Sequence, residues 1–149
     1  MRLYFAAPLF CEAERTFNAR LAAKIEALGY DVFLPQRDGL ESDQTLESMG
    51  SEAWSQAIFD LDRDRVFGCD VFLCILDGRV PDEGLALEIG LAYADRHHAN
   101  SGRKLIGYST DWRVFSPAGI NAMLAGALDE VIRDEATLLR RLQEILDSD

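Results

Sequence analysis

The residue most out of keeping with its surroundings is Glu88. It stands among Leu85, Ala86, Leu87, Ile89, Leu91, Ala92, Tyr93 and Ala94, a run that reads as a helix apolar on every side and therefore buried. A carboxylate there carries a desolvation cost unless something pairs with it. A capping box would need Ser, Thr or Asp three residues earlier, and that position is Leu85. Two structural explanations remain: an acid favoured by the positive end of the helix dipole, or a buried ion pair with an arginine. The chemical explanation is a carboxylate placed beside a ligand cleft as a nucleophile or base.

Two more acids can join it. Asp82 lies six residues earlier, in the loop that enters the same helix. Two carboxylates near one helix start can divide ionised and proton-carrying roles when their environments differ; alone, Asp82 is an ordinary N-terminal acid. Asp62 follows Ile58 by four and adjoins Leu61, so it borders the apolar face of its helix. The run Asp60–Arg65 also reads as a solvated ladder of ion pairs. Asp70 opens the central strand at its amino end and reads as structural.

Other chemistries lack candidates. The junction Ala6–Glu12 contains no glycine, so neither a dinucleotide fingerprint nor a phosphate-binding P-loop is present. No zinc-type spacing occurs. His97 and His98 are adjacent and read as a solvated helix end favoured by the dipole. No nucleophile elbow is present, and Ser116 lies in a Pro-bearing loop. Cys11, Cys69 and Cys74 are odd in number, without a C-x-x-C, and the sequence opens without a leader; a reduced, cytoplasmic protein is expected.

These residues need a scaffold. Strands are expected at Leu3–Ala7, Asp31–Leu34, Val71–Leu76, Lys104–Gly107 and Leu128–Ile132, with Val71–Leu76, wholly apolar, at the sheet centre. Helices are expected at Glu12–Leu28, Glu52–Phe67, Gly84–His97 and Asp134–Leu146, with a short one at Ile120–Leu124. Gln36–Ser51 reads as a polar loop with a short helix at its centre, and Tyr108–Ala118 as an aromatic-bearing loop. The alternation predicts an α/β protein: a flavodoxin-like three-layer sandwich around a five-stranded, mostly parallel sheet, with 1–149 as a single domain. Ligands of such sheets sit outside the carboxyl ends of the strands. That singles out the loops at Pro8–Glu12, Pro35–Asp43, Asp77–Gly84 and Tyr108–Asn121.

Charge narrows the partner. Fifteen Lys and Arg stand against 26 Asp and Glu, a net charge of −11. That field repels a nucleic acid polymer and an anionic membrane surface but admits a small neutral or cationic ligand. The longest apolar run is far too short to span a bilayer.

The chain resembles the nucleoside 2-deoxyribosyltransferase family. The likeness runs through an opening strand Leu3-Tyr4-Phe5-Ala6-Ala7-Pro8, the helix containing Asp62 with Asp70 eight residues on, the pattern Asp82-x-Gly84-x-x-x-Glu88-x-Gly90-x-Ala92, and Ile120-Asn121-Ala122-Met123 near the last strand. Four such motifs in order are fairly specific. The resemblance implies that Glu88 is the nucleophile toward C1′ and that Tyr4 orients its carboxylate. It implies that Asp82 and Asp62 hold the nucleoside, with Asp62 able to relay a proton to the leaving base. Gly84 and Met123 belong to the same matched motifs. Asn121 would reach a neighbouring subunit's 5′-hydroxyl, and Gln36 is the choice for a base contact. The substrates would be 2′-deoxynucleosides and free purine or pyrimidine bases. The family is a homo-oligomer, often a hexamer built from dimers with shared sites, and uses no metal or organic cofactor.

The reaction suits these residues. N-glycosidic cleavage builds oxocarbenium character that a carboxylate can trap covalently, as retaining glycosidases do. Base departure needs a proton, hence a second acid. Water must be kept out, or transfer becomes hydrolysis. Tyr108, Trp112 and Phe115 can supply a shield or a stacking surface, or simply pack subunits together. The competing readings are an N-glycosidase acting on 2′-deoxynucleoside 5′-monophosphates and a non-catalytic nucleoside-binding module.

Overall fold

The computed structural model describes residues 1–40, 50–78, 80–99, 101–111 and 120–148. Its strands are β1 (Arg2–Ala6), β2 (Asp31–Phe33), β3 (Val71–Ile75), β4 (Lys104–Tyr108) and β5 (Glu130–Ile132). The helices are α1 (Glu12–Ala27), α2 (Pro35–Asp38), α3 (Ser51–Gly68), α4 (Glu83–Ala99), α5 (Ala122–Ala127) and α6 (Glu135–Asp147). The five strands form one sheet in the order β2-β1-β3-β4-β5, and every pairing is parallel. This is the flavodoxin-like arrangement.

Strand alternation divides the core in two. Leu3, Phe5, Val71, Leu73 and Ile75 face one side, where Leu21 and Ile25 of α1 and Leu138, Leu142 and Ile145 of α6 cover them. Tyr4, Ala6, Phe72 and Cys74 face the other, under Val66 of α3 and Leu85, Ile89 and Ala92 of α4. The side that receives α4 is therefore the side that carries Tyr4. Arg103, only 4% exposed at its side chain, locks this layer. Its guanidinium donates to the Cys69 carbonyl at 2.9 Å and the Phe67 carbonyl at 2.5 Å, at the carboxyl end of α3, and pairs with Asp95 of α4 at 2.8 Å. A cation at a helix carboxyl end satisfies carbonyls that the helix itself cannot.

Three features depart from or add to the expectations. First, a short helix begins directly after β2, at Pro35, while the centre of Gln36–Ser51, where a short helix is expected, lies outside the described residues. Proline suits a first helical turn, and the Asp38 carboxylate accepts from the Leu34 N–H at 2.9 Å. Residues 41–49 lie outside the described residues, as do Trp112, Phe115 and Ser116. Second, α5 starts after Asn121, because the Asn121 side chain caps it by accepting from the Met123 N–H at 2.9 Å. Third, α4 is not buried on every side: Leu87 is 55% exposed and Tyr93 41%. A helix on a sandwich face lays one stripe on the sheet, and its outward stripe stays uncovered within one chain.

Two predictions follow from the packing. A Cβ added at Gly107 would lie 2.8 Å from Leu76 Cδ1 and 2.9 Å from Leu128 Cδ1. Gly107→Ala is expected to lower unfolding free energy by about 1–3 kcal/mol, the usual cost of overpacking, as a shifted denaturant midpoint at constant slope. An unmoved midpoint would contradict that close approach. The thiols give a second test. Cys11 is exposed, whereas Cys69 and Cys74 are buried. Burial, only partly opposed by Arg103, pushes the Cys69 thiol up to about 11. Burial raises the Cys74 thiol as well, and the Glu88 charge raises it further. At pH 8 a disulfide reagent should titrate Cys11 alone in the native protein, with the other two reacting only on unfolding.

Candidate active site

The site begins with alternation on two elements. On α4, Leu85, Ile89 and Ala92 are buried against the sheet. Glu88, three residues after Leu85, falls on the same stripe. On β1, Tyr4 faces that stripe and is 0% exposed. Its hydroxyl donates to Glu88 Oε1 at 2.6 Å, across 84 residues of sequence. This lies at the short end of the O–H···O range. Asp82, rather than Glu88, caps α4, its Oδ2 accepting from the Leu85 N–H at 3.0 Å. Gly84 makes room for this, since a Cβ there would sit 3.0 Å from that same oxygen.

The strand register prepares the ground around Tyr4. Tyr4 is opposite Phe33 of β2 and Phe72 of β3. One step nearer the carboxyl edge on the same face, Ala6 is opposite Cys74, and Cys74 opposite Gly107. A row of large rings is thus followed by a row of small residues. The hydroxyl at the tip of Tyr4 has space to meet Glu88 there.

The other expected residues lie on several elements. Asp62 lies in α3, the helix beside α4. The ion-pair ladder runs through Arg63, which reaches Asp60 at 2.6 Å and Asp64 at 2.8 Å; Asp62 Oδ1 is shut off from solvent. Asp70 is structural in its contacts. It accepts from the Arg2 N–H at 2.7 Å and pairs with the Arg2 guanidinium at 3.4 Å. Burial works upward on its carboxyl, but these Arg2 interactions outweigh it and hold the group below the usual range. Gln36 sits on the other side of β1, its amide oxygen accepting from Asn18 at 2.9 Å and its amide nitrogen donating to the Arg15 carbonyl at 2.8 Å. Asn121 and Met123 open α5 at the surface, and Met123 is 82% exposed. His97 and His98 are exposed in the last turn of α4.

The carboxyl edge carries a cleft of about 410 Å³, lined by Pro8, Glu14, Asn18, Asp77, Thr110 and Asp111 among others. Among its described lining residues there is no lysine or arginine. The Asp77 carboxylate fastens the loops here, accepting from the backbone of Thr110 at 2.6 Å and of Asp111 at 2.9 Å. At the first turn, Glu14 accepts from the N–H groups of Phe10 at 2.8 Å and Cys11 at 2.9 Å. Those donors are therefore already occupied by an acid. Among the described residues, no group of three or more His, Cys, Asp or Glu is arranged to hold a metal ion.

Sequence reasoning missed Phe33, Phe72 and Arg103, because each acts through a partner that only register or helix packing supplies. It also missed Phe10, which is 73% exposed beside the carboxyl edge. A large aromatic in a loop directly after a buried strand was the available signal.

Comparison with known proteins agrees with this geometry. The family model described as nucleoside 2-deoxyribosyltransferase matches residues 3–139. No curated protein matches the chain. Among solved structures, a conserved protein from Enterococcus faecalis V583 superposes with a TM-score of 0.78 at 27% identity, covering 97% of this chain and 98% of that one. The 2-deoxyribosyltransferase of the psychrotolerant bacterium Bacillus psychrosaccharolyticus gives 0.75 at 22% identity, covering 93% and 90%. The CMP N-glycosidase of Clostridium botulinum gives 0.58 at 20% identity, covering 97% and 99%. The last two likenesses, at such identities, speak for the fold alone. With the family model spanning nearly the whole chain, this protein belongs to the nucleoside 2-deoxyribosyltransferase family.

Proposed function

We propose that the protein transfers the 2-deoxyribosyl group of a 2′-deoxynucleoside to another nucleobase through an ester on Glu88. The observation that carries this reading is the 2.6 Å bond from Tyr4 to Glu88, which orients a carboxylate on a packed helix stripe beside the carboxyl edge of the sheet. In the first half-reaction a Glu88 oxygen bonds to C1′ as the C1′–N bond breaks. The departing base keeps the electron pair and takes a proton, for which Asp62 is the proposed source. In the second half, a ring nitrogen of the incoming base attacks C1′, gives up its proton, and releases the Glu88 carboxylate. Two displacements retain configuration, and the kinetics are ping-pong. Asp82 holds the nucleoside and Asn121 reaches the substrate of a neighbouring subunit, whereas Gln36, tied to Asn18 and the Arg15 carbonyl on the other side of β1, is left out of the base contact.

The first turn favours nucleosides over 5′-monophosphates. A phosphate at a strand–helix junction is normally held by backbone N–H groups, and Glu14 occupies two of them here. Exposed Leu87, Tyr93 and Met123 supply apolar surface for self-association on the α4–α5 side. The free thiols suit a reducing, cytoplasmic setting. Among the described residues, no helix is long and apolar enough to cross a membrane.

The decisive assay is base exchange followed by chromatography. With 2′-deoxyinosine as donor, 2′-deoxyadenosine should form only when adenine is added; a thymidine donor tests whether pyrimidines are accepted. Base release from deoxynucleoside monophosphates alone would replace this reading with the hydrolase. Glu88→Ala should reduce turnover by several orders of magnitude, as loss of a covalent nucleophile does. Ligand binding with no turnover, unaffected by that change, would leave a binding module. Tyr4→Phe should keep the fold and lower kcat about ten- to a hundredfold, through lost orientation of the carboxylate; a wild-type kcat would remove Tyr4 from the mechanism.

A further inference from the structure

Parallel strands buried on both faces are ordinarily rich in Val, Ile and Leu. The row through Tyr4 departs from that pattern. Phe33, Tyr4 and Phe72 stand side by side on β2, β1 and β3, in direct register. The Tyr4 ring lies 5.6 Å from Phe33 at an interplanar angle of 21°, and 5.7 Å from Phe72 at 6°. Neighbouring strands are about 4.7–4.9 Å apart, so the sheet itself sets rings at a near-stacking distance. The outer end is closed by Arg65 of α3, whose guanidinium carbon lies 4.9 Å over the Phe33 ring, a cation over a π face. Arg65, Phe33, Tyr4 and Phe72 thus form one continuous stack, and the phenol inside it is the group that touches Glu88.

We propose that Phe33 and Phe72, with Arg65 closing the stack, are positioning residues that hold the Tyr4 ring in the single orientation from which its hydroxyl reaches Glu88. A phenol has two soft torsions. Walls on both faces remove the tilt that would swing its oxygen off the carboxylate. A hydrogen bond weakens steeply with such misalignment. Orientation errors of about 1 Å at a reacting group cost up to about a hundredfold in rate. An aliphatic side chain can fill the same volume but presents no flat face to the ring. The inference rests on reading Glu88 as the nucleophile. It deepens that reading by extending the site to residues that act through Tyr4.

Phe33 is the place to test it, because it is only partly buried and lies on an edge strand. Phe33→Leu should lower kcat for base exchange by about tenfold or more, leave KM within about twofold, and still unfold cooperatively. Phe33→Tyr, which keeps the flat face, should restore kcat. A second measurement needs no turnover. In protein labelled with ζ-¹³C-tyrosine, the Tyr4 resonance is assigned by its loss in Tyr4→Phe. It should move in Phe33→Leu toward its position in Glu88→Gln, and return in Phe33→Tyr. Arg65→Gln, at an exposed position, repeats the test without touching the core and should shift the resonance the same way by less. A Tyr4 resonance unmoved in both Phe33→Leu and Arg65→Gln would overturn the proposal. So would equal damage from Phe33→Leu and Phe33→Tyr, or a changed KM at constant kcat. If the wild-type protein exchanges no base, the proposed function fails, while the resonance still decides whether the stack orients Tyr4.

Discussion

A carboxylate on the buried stripe of a helix must find a donor or give up its charge, because desolvation of an unpaired ion exceeds what packing around it returns. In this protein the donor is the Tyr4 hydroxyl, and much of the remaining structure can be understood as what that one contact requires. It needs β1 beneath α4, so β1 must be interior to the sheet rather than at its edge. It needs a small residue next to the tyrosine tip, and Ala6 and Cys74 take those positions. It needs α4 in fixed register along the sheet, which the Asp82 cap at one end and the Arg103–Asp95 pair near the other provide.

Arg103 illustrates how a costly buried charge is made worthwhile. Its guanidinium meets carbonyls at the end of α3 and a carboxylate on α4, so the donors are satisfied by groups that also needed partners. The contact fixes α3 against α4. Arg96 does similar work on the far flank, pairing with Asp129 at 2.7 Å while Asp129 accepts from the Leu105 N–H at 2.8 Å. At the opposite sheet edge, Arg37 donates to the Val32 carbonyl at 2.9 Å. A backbone group that would otherwise invite another strand is thereby covered.

The acidic character of the chain is also structured. Glu14 closes the first turn from within, Asp77 ties together the loops after β3 and β4, and Asp38 serves the β2 edge. These carboxylates act as internal acceptors for backbone N–H groups at the carboxyl side of the sheet and at its edge. The same use removes the donors that an anionic ligand would require.

Much of this was legible in the residues themselves. Short apolar runs located the described strands and the 3.6-residue period located the long helices, because strands buried on both faces read as continuous apolar segments while a helix buries one stripe. Glu88 was visible as an acid in apolar company for the same reason. Boundaries set by side-chain caps were less legible: Asn121 moved the start of α5, and Pro35 with Asp38 placed α2. The outward stripe of α4 looked buried, since an exposed apolar residue and a covered one are spelled alike. What only the tertiary structure decided is who meets whom. Alternation says that Tyr4 faces one side of the sheet but not which strand lies beside it. Parallel neighbours are joined through long crossovers, so register is set by packing rather than by a turn. The pairing of Tyr4 with Glu88, the stack of Phe33, Tyr4 and Phe72, and the reach of Arg103 all depend on that register. Burial pattern is a property each segment carries alone, whereas contact between segments exists only once the whole sheet has closed on its helices.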